Sequence, residues 1–506
     1  MPARVKTASI LGLEAHLIEV EADISSGLPN FFIVGLPDTA IQEAKERIRS
    51  AVRNSQMPFP RTRVTVNLAP AHVRKIGSGF DLPIALAILA ADGQLELSHP
   101  LRLFVGELAL DGTLRPIQGI ISVALLAKEL GMEELVVPSE NAAEAALIQG
   151  LRILKASSLS DVQRALLGET SFTIVPTTTP IPSSPHASST IDFSSVRGQE
   201  QARRALEIAA AGGHNLLMQG PPGSGKTLLA RAFQTILPEM TEQEMLEATR
   251  IHSVAGTLPT HDIISTRPFR APHHTSSMTS LVGGGTIPRP GEVSLAHNGV
   301  LFLDELPEFS RTTLECLRQP LEDGYISISR AQSSVRYPAR FSLIAAMNPC
   351  PCGYRSDKEQ NCTCSQLQYE HYRQRMSGPL LDRIDLVIEV PRVPVETLTQ
   401  LPQSETSATI RVRVQSARDR QQVRLKRTGC TTNAQVSSEL VSRLFHPTPS
   451  AEHVLKQAIS RFRLSARAYF RLLKVSQTIA DLAAQEAIES EHVAEALQYR
   501  FQGSFL

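Results

Sequence analysis

The sequence predicts an α/β protein in three parts: an α+β front domain at residues 1–170, a P-loop nucleotide-binding core at 192–393, and a helical domain at 394–506. Three observations carry this. Residues 220–227 (GPPGSGKT) fit the phosphate-loop pattern G-x-x-x-x-G-K-[ST]; short apolar strands alternate with helical stretches on both sides of it; and residues 176–190 read PTTTPIPSSPHASST, with no apolar periodicity. Such a tract builds no core and its prolines stiffen it, so residues 171–191 are expected to form an extended linker.

A chain of 506 residues, at roughly 150 per domain, suits this division. With 42% hydrophobic and 20% charged residues, and 51 basic against 50 acidic, it is neither a disordered chain nor a coiled-coil rod. A uniformly basic nucleic-acid coat is also excluded, although a local basic patch is not. The longest apolar run, residues 83–91, is shorter than the about 20 residues a membrane helix needs. Arg4 and Lys6 precede an apolar stretch that Glu14 interrupts, which is not a secretory signal, so the chain reads as soluble and cytoplasmic.

In the front domain, strands are expected at 31–35, 64–68 and 101–105, with a helix over 38–52. The core begins with a strand at 215–219, then the loop, then a helix over 228–236. The loop Gly220, Pro221, Pro222, Gly223, Ser224 and Gly225 would hold ATP, its glycines letting backbone N–H groups turn toward the phosphates at a helix N-terminus that favours anions. Lys226 would hold the β- and γ-phosphates, and Thr227 would offer its hydroxyl to Mg²⁺. A strand at 300–303 ends in Asp304, a second Mg²⁺ ligand, and Glu305, a general base for the attacking water. A strand at 341–347 ends in Asn348, which can reach the γ-phosphate and that water. Each strand end is commonplace alone; the phosphate loop upstream gives both their functional reading.

Cys350-x-Cys352 and Cys362-x-Cys364 stand nine residues apart in a polar loop. Four thiolates in two close pairs can make a tetrahedral structural Zn²⁺ site; reduced, unliganded thiols are the alternative. Six cysteines are too few for a disulfide scaffold, and Cys316 and Cys430 are assigned to packing. DNA contact is suggested at three places, the first being the segment between the phosphate loop and Asp304, which holds His273, His274, three consecutive glycines (Gly283–Gly285) and Arg289. Residues 325–336 (YISISRAQSSVR) alternate like a β-hairpin and carry Arg330 and Arg336. The helical stretch 411–427 holds seven basic residues, including Arg411 and Arg418, against one acid, Asp419. A solvated helix face is the other reading of that stripe.

Residues 193–211, the loop itself, 267–274 (RPFRAPHH), 281–306, 348–353 (NPCPCG) and 377–386 (SGPLLDRIDL) together resemble the magnesium-chelatase-like AAA+ family, within it the YifB/ComM group of bacterial competence-related ATPases. The resemblance implies an AAA+ core with a helical lid and a homo-hexameric ring. It makes Asn348 the sensor 1 residue, Arg383 the arginine finger for a neighbour's ATP, and Arg467 the sensor 2 arginine on the lid. A salt bridge from Arg383 to Asp382 or Asp385, and a solvated position for Arg467, are the plainer alternatives. Residues 75–89 and 106–119 resemble a Lon-protease-like (ribosomal S5 domain 2-like) domain whose Ser–Lys dyad is missing: its positions fall on Gly79 and Ile121, with Ser78 one residue early. The function implied is an ATP-driven DNA motor, a helicase or branch-migration enzyme of natural transformation and recombination, with single-stranded or branched DNA and other recombination proteins as partners. A chelatase-type ATPase that remodels a partner protein is the alternative; an ATP-dependent protease is opposed by the missing dyad.

Overall fold

A computed structural model of the chain describes residues 2–97, 99, 101–177, 191–258, 263–285, 288–330, 333–355, 357, 359–376, 378–393 and 405–500. The expected linker falls largely outside the described residues, as do the boundary at 394–404 and the side chain of Arg330.

Five parallel strands form the core sheet, in the order Phe269–Arg270, Val300–Leu303, Ser342–Met347, Leu216–Gln219, Leu386–Glu389. Successive strand residues point to opposite faces, and both faces are covered, which is why the strands read as unbroken apolar runs. Leu216, Met218, Phe302 and Ile344 pack on one side with the helices Glu200–Gly212 and Lys226–Ile236 and with the C-terminal helices. Leu217, Leu301, Leu303 and Leu343 pack on the other with Ile251 and the hairpin Tyr325–Arg330/Ser333–Pro338. Because the strands are parallel, all their carboxyl ends share one edge of the sheet and all their amino ends the other.

The front part is an eight-stranded mixed sheet, ordered Thr173–Val175, Arg152–Ala156, Glu134–Pro138, Arg102–Phe104, Ala3–Leu11, Glu14–Ser25, Arg63–Ala69, Asn30–Val34. The helix Thr39–Asn54 starts where Asp38 accepts a hydrogen bond from the Ile41 N–H. The helix Asp81–Ala91 is apolar nearly all round and buried. Thr173–Val175 carries the sheet past the expected limit at residue 170. The tip of the hairpin Ala3–Leu11/Glu14–Ser25 docks on the core. Gly12 (φ +65°) leaves no room for a side chain, since a Cβ would lie 2.1 Å from Val335 Cγ1. Arg250 donates to the Leu13 carbonyl and, at 3.1 Å, to Ser122 Oγ. Burial lifts the Glu144 carboxyl to about 7.

Helices Ser407–Leu425, Ser438–Leu444, Pro449–Phe462, Ala466–Leu482 and Ser490–Gln498 complete the chain, and they share a core with the phosphate-loop side of the sheet. Thr406, Ser437, Thr448 and Ser465 cap four of them. The basic stripe on the first is not the phosphate-facing surface expected. Arg411 donates to the Thr235 carbonyl (3.1 and 2.6 Å) and Arg418 to the Ala210 carbonyl (3.4 and 3.0 Å). Both oxygens lie in the last turns of other helices, where carbonyls have no partner within the helix. Arg413 pairs with Glu207 and Glu405, and Arg424 with buried Asp481. These arginines staple helices together, which corrects the assignment of Arg411 and Arg418 to DNA. Among the described residues no helix is long and apolar enough to cross a membrane.

Candidate functional site

The loop after Leu216–Gln219 turns through Gly223 (φ +78°) and Gly225 (φ +91°) into the helix Lys226–Ile236. Both glycines occupy the left-handed region. Gly220 is pressed against the next strand, where a Cβ would stand 2.1 Å from the Val390 carbonyl oxygen. The buried Lys226 ammonium lies over the loop, donating to the carbonyls of Gly220 (2.7 Å) and Pro221 (3.0 Å) and to Asn348 Oδ1 (3.3 Å). Burial lowers its pKa, while the charges of Asp304 and Glu305 pull the other way. Thr227 Oγ1 donates to Asp304 Oδ2 at 2.9 Å, so two oxygen donors from separate elements meet beside the ammonium. That hydroxyl–carboxylate pair is the donor set a hard cation such as Mg²⁺ takes.

Glu305 sits in the left-handed region (φ +52°), its N–H donating to Asp304 Oδ1 at 3.0 Å. Strain of this kind in a non-glycine residue points its side chain away from the strand's own course. The carboxylate faces His274 Nδ1 at 3.3 Å, and the His274 ring stands edge-on to Phe309 and 4.1 Å from that of His273. Sequence reasoning had no partner for this histidine. The carboxyl edge of the sheet thus brings together Lys226, Thr227, Asp304, Glu305 and Asn348, drawn from three strand ends.

Arg383 and Arg467 are not part of that group. Asp385 Oδ2 accepts from the Asn215 N–H at 3.2 Å, just before the strands Leu386–Glu389 and Leu216–Gln219 begin, which puts Arg383 at the opposite edge. Its guanidinium pairs with Glu322 and donates to the Pro379 carbonyl at 2.6 Å. Arg467 reaches the same carboxylate at 3.4 Å. The local salt bridges considered for Arg383 do not form, because Asp382 is held by Arg471 and Asp385 by His214. Arg340, Arg383, Arg467, Arg471 and Lys474 line one cleft of about 580 Å³ there.

The four cysteine sulfurs of the predicted cluster all lie within 4.8 Å of one another. Arg336 is exposed on the outer face of its hairpin, its guanidinium 5.0 Å from the centre of the Tyr325 ring. In the front part Ile121 is fully buried in the helix Ile120–Glu129, Ser78 donates to Glu107, and buried Lys75 donates to the Pro70 carbonyl.

Three family models match the chain: "Magnesium chelatase, subunit ChlI" over residues 192–398, "Subunit ChlI of Mg-chelatase" over 20–141, and "Magnesium chelatase, subunit ChlI C-terminal" over 404–500. The chain is 45% identical over 504 residues to the competence protein ComM of Haemophilus influenzae, covering 98% of this chain and 97% of that one. It is 44% identical over 498 residues to the uncharacterized protein YifB of Escherichia coli K12, covering 98% and 96%. A magnesium-chelatase 67 kDa subunit of Chlorobaculum parvum is 28% identical over 165 residues, 31% of this chain and 23% of that one. With the phosphate loop, the Asp304–Glu305 strand end and near full-length identity in agreement, the chain belongs to the YifB/ComM family of magnesium-chelatase-like AAA+ ATPases.

Proposed function

We propose that the chain hydrolyses ATP as a homo-hexameric ring and uses the energy to move along DNA, as a helicase or branch-migration motor of natural transformation and recombination. One observation carries the ring: Lys226, Thr227, Asp304, Glu305 and Asn348 stand at one edge of the sheet, while Arg383 and Arg467 stand at the other. In a head-to-tail ring the arginine edge of one subunit would complete the loop edge of the next.

The roles follow from chemistry. Lys226 and the loop N–H groups bind the β/γ-phosphates; Thr227 and Asp304 hold Mg²⁺, which neutralises phosphate charge when bound. Glu305 accepts the proton of the attacking water and Asn348 orients that water. Arg383 and Arg467 of the neighbouring subunit stabilise charge developing on the γ-phosphoryl oxygens. On this reading residues 192–393 are the AAA+ core, 394–506 the lid, 171–191 a linker and 1–170 a Lon-protease-like domain without its dyad. The cysteine cluster is read as a structural Zn²⁺ site.

DNA as the substrate is supported by the competence protein among the relatives and by Arg336 on the exposed hairpin face. The chelatase-type alternative, remodelling of a partner protein, gains from the internal use of Arg411 and Arg418. ATP turnover measured with single-stranded, duplex and branched DNA separates them. A motor is expected to respond several-fold to at least one DNA; turnover indifferent to all three, in verified rings, would favour the remodelling ATPase.

A further inference from the structure

The cysteine cluster is built into the wall of the phosphate loop. Cys350 Sγ lies 3.3 Å from Cys352 Sγ and 3.6 Å from Cys362 Sγ, and Cys352 Sγ lies 3.6 Å from Cys362 Sγ. A tetrahedral zinc site with Zn–S near 2.3 Å has edges of about 3.8 Å, so these sulfurs are already gathered to nearly the required spacing. A backbone N–H is turned onto them: that of Cys352 donates to Cys364 Sγ at 3.3 Å. Donors of this kind orient thiolate ligands and tune their charge.

The same loop grips the nucleotide site at three points. Asn348 precedes it by two residues, and its carbonyl is fixed by Tyr372 Oη at 3.1 Å. Gly353 (φ +87°) presses on Pro222 so closely that a Cβ would come 2.5 Å from Pro222 Cδ. Asp357, nearly buried, pairs with Arg392 at 3.5 Å, and Arg392 donates to the Pro222 carbonyl at 3.2 and 3.0 Å. We propose that Cys350, Cys352, Cys362 and Cys364 bind one zinc ion that clamps the phosphate loop through Gly353, Asp357 and Arg392, so that nucleotide affinity depends on the metal. This rests on reading residues 220–227 as the nucleotide site. Without the ion, the short polar loop has little apolar surface to hold its shape, and Pro222 loses its backing.

The test uses the full chain purified without chelator, metal analysis, and titration with a fluorescent ATP analogue. Wild type is expected to carry about one zinc per chain. The double substitution Cys362→Ser and Cys364→Ser should remove the metal and weaken nucleotide binding at least about tenfold, as loss of a preorganised loop costs affinity. Gly353→Ala leaves all four ligands in place but breaks the contact with Pro222; it should keep its zinc and still lose affinity. Stripping zinc from wild type with a chelator and restoring it should lower and recover affinity in step. No zinc in wild type would overturn the site. Zinc present, with affinity within about twofold of wild type after its removal and in Gly353→Ala, would overturn the clamp. Wild type that carries zinc yet binds no nucleotide would instead refute the phosphate-loop reading on which the proposal rests.

Discussion

The two edges of the core sheet are made from the same strands, yet their side chains face different things. At the carboxyl edge, Lys226, Thr227, Asp304 and Asn348 are bonded to one another or to the loop's own backbone, so the group stands formed within a single chain. At the amino edge, Arg383 and Arg467 converge on one half-exposed carboxylate, Glu322, beside an open cleft. The Arg467–Glu322 pair is exposed on both sides and contributes about 0–1 kcal/mol, whereas the Arg383 side chain is largely buried and also holds the Pro379 carbonyl. The difference teaches that one edge is bonded within the chain while the other ends in arginines beside a cleft, which under the proposed ring would serve a neighbour's site.

The largest effect should come from breaking the built edge. Lys226→Ala removes the ammonium that lies over the loop, and nucleotide binding should be lost; affinity within about threefold of wild type in a titration would refute the assignment, since a charge-assisted phosphate contact is worth more than that. Disarming the amino edge should act differently. Arg383→Ala should bind nucleotide nearly normally while turnover falls by about a thousandfold or more, the scale of an arginine finger. Equal losses in binding and turnover would mean that Arg383 supports the fold and not the reaction.

Glu305→Gln sharpens the chemistry at the built edge. Binding should persist and steady-state turnover should drop at least about tenfold, as when a water-activating base is lost. Unchanged turnover would place the base elsewhere. The smallest effect is expected at His274, which holds Glu305 through a partly exposed contact. His274→Ala should raise basal turnover by no more than about fivefold, because freeing an exposed pair is worth at most about 1 kcal/mol. A fall in turnover would show that His274 positions Glu305 for the reaction.

Much of the built edge was legible in the residues. The strands ending at Asp304 and Asn348 and the helix after the loop lie within a residue or two of where apolar runs and glycines put them. Local pattern decides such elements, and the glycine turn admits few alternatives. The amino edge was not legible in the same way. Arg383 finds Glu322, 61 residues distant, only because the sheet order brings Leu386–Glu389 beside Leu216–Gln219. The arginine stripe beginning at Arg411 misled for a related reason: its partners are backbone carbonyls at the ends of distant helices, and no composition count reveals an unpaired carbonyl. In the hairpin Ala3–Leu11/Glu14–Ser25 the second strand does alternate over residues 18–25, whereas the first buries Thr7, Ala8 and Ser9 in succession and so lacks the period-two pattern.

The central claim is that the two edges meet across a subunit boundary, and mixing the two disabled chains tests it most directly. Lys226→Ala lacks a loop cation but keeps its arginines; Arg383→Ala lacks the finger but keeps its loop. In mixed rings, an interface joining the intact Lys226 of one chain to the intact Arg383 of the next contains a whole site. ATP hydrolysis in the mixture, with mixed rings verified by native mass spectrometry, should exceed the sum of the two variants measured alone. A rate no higher than that sum would contradict the account, because it would show that Arg383 does not act on a neighbour's nucleotide.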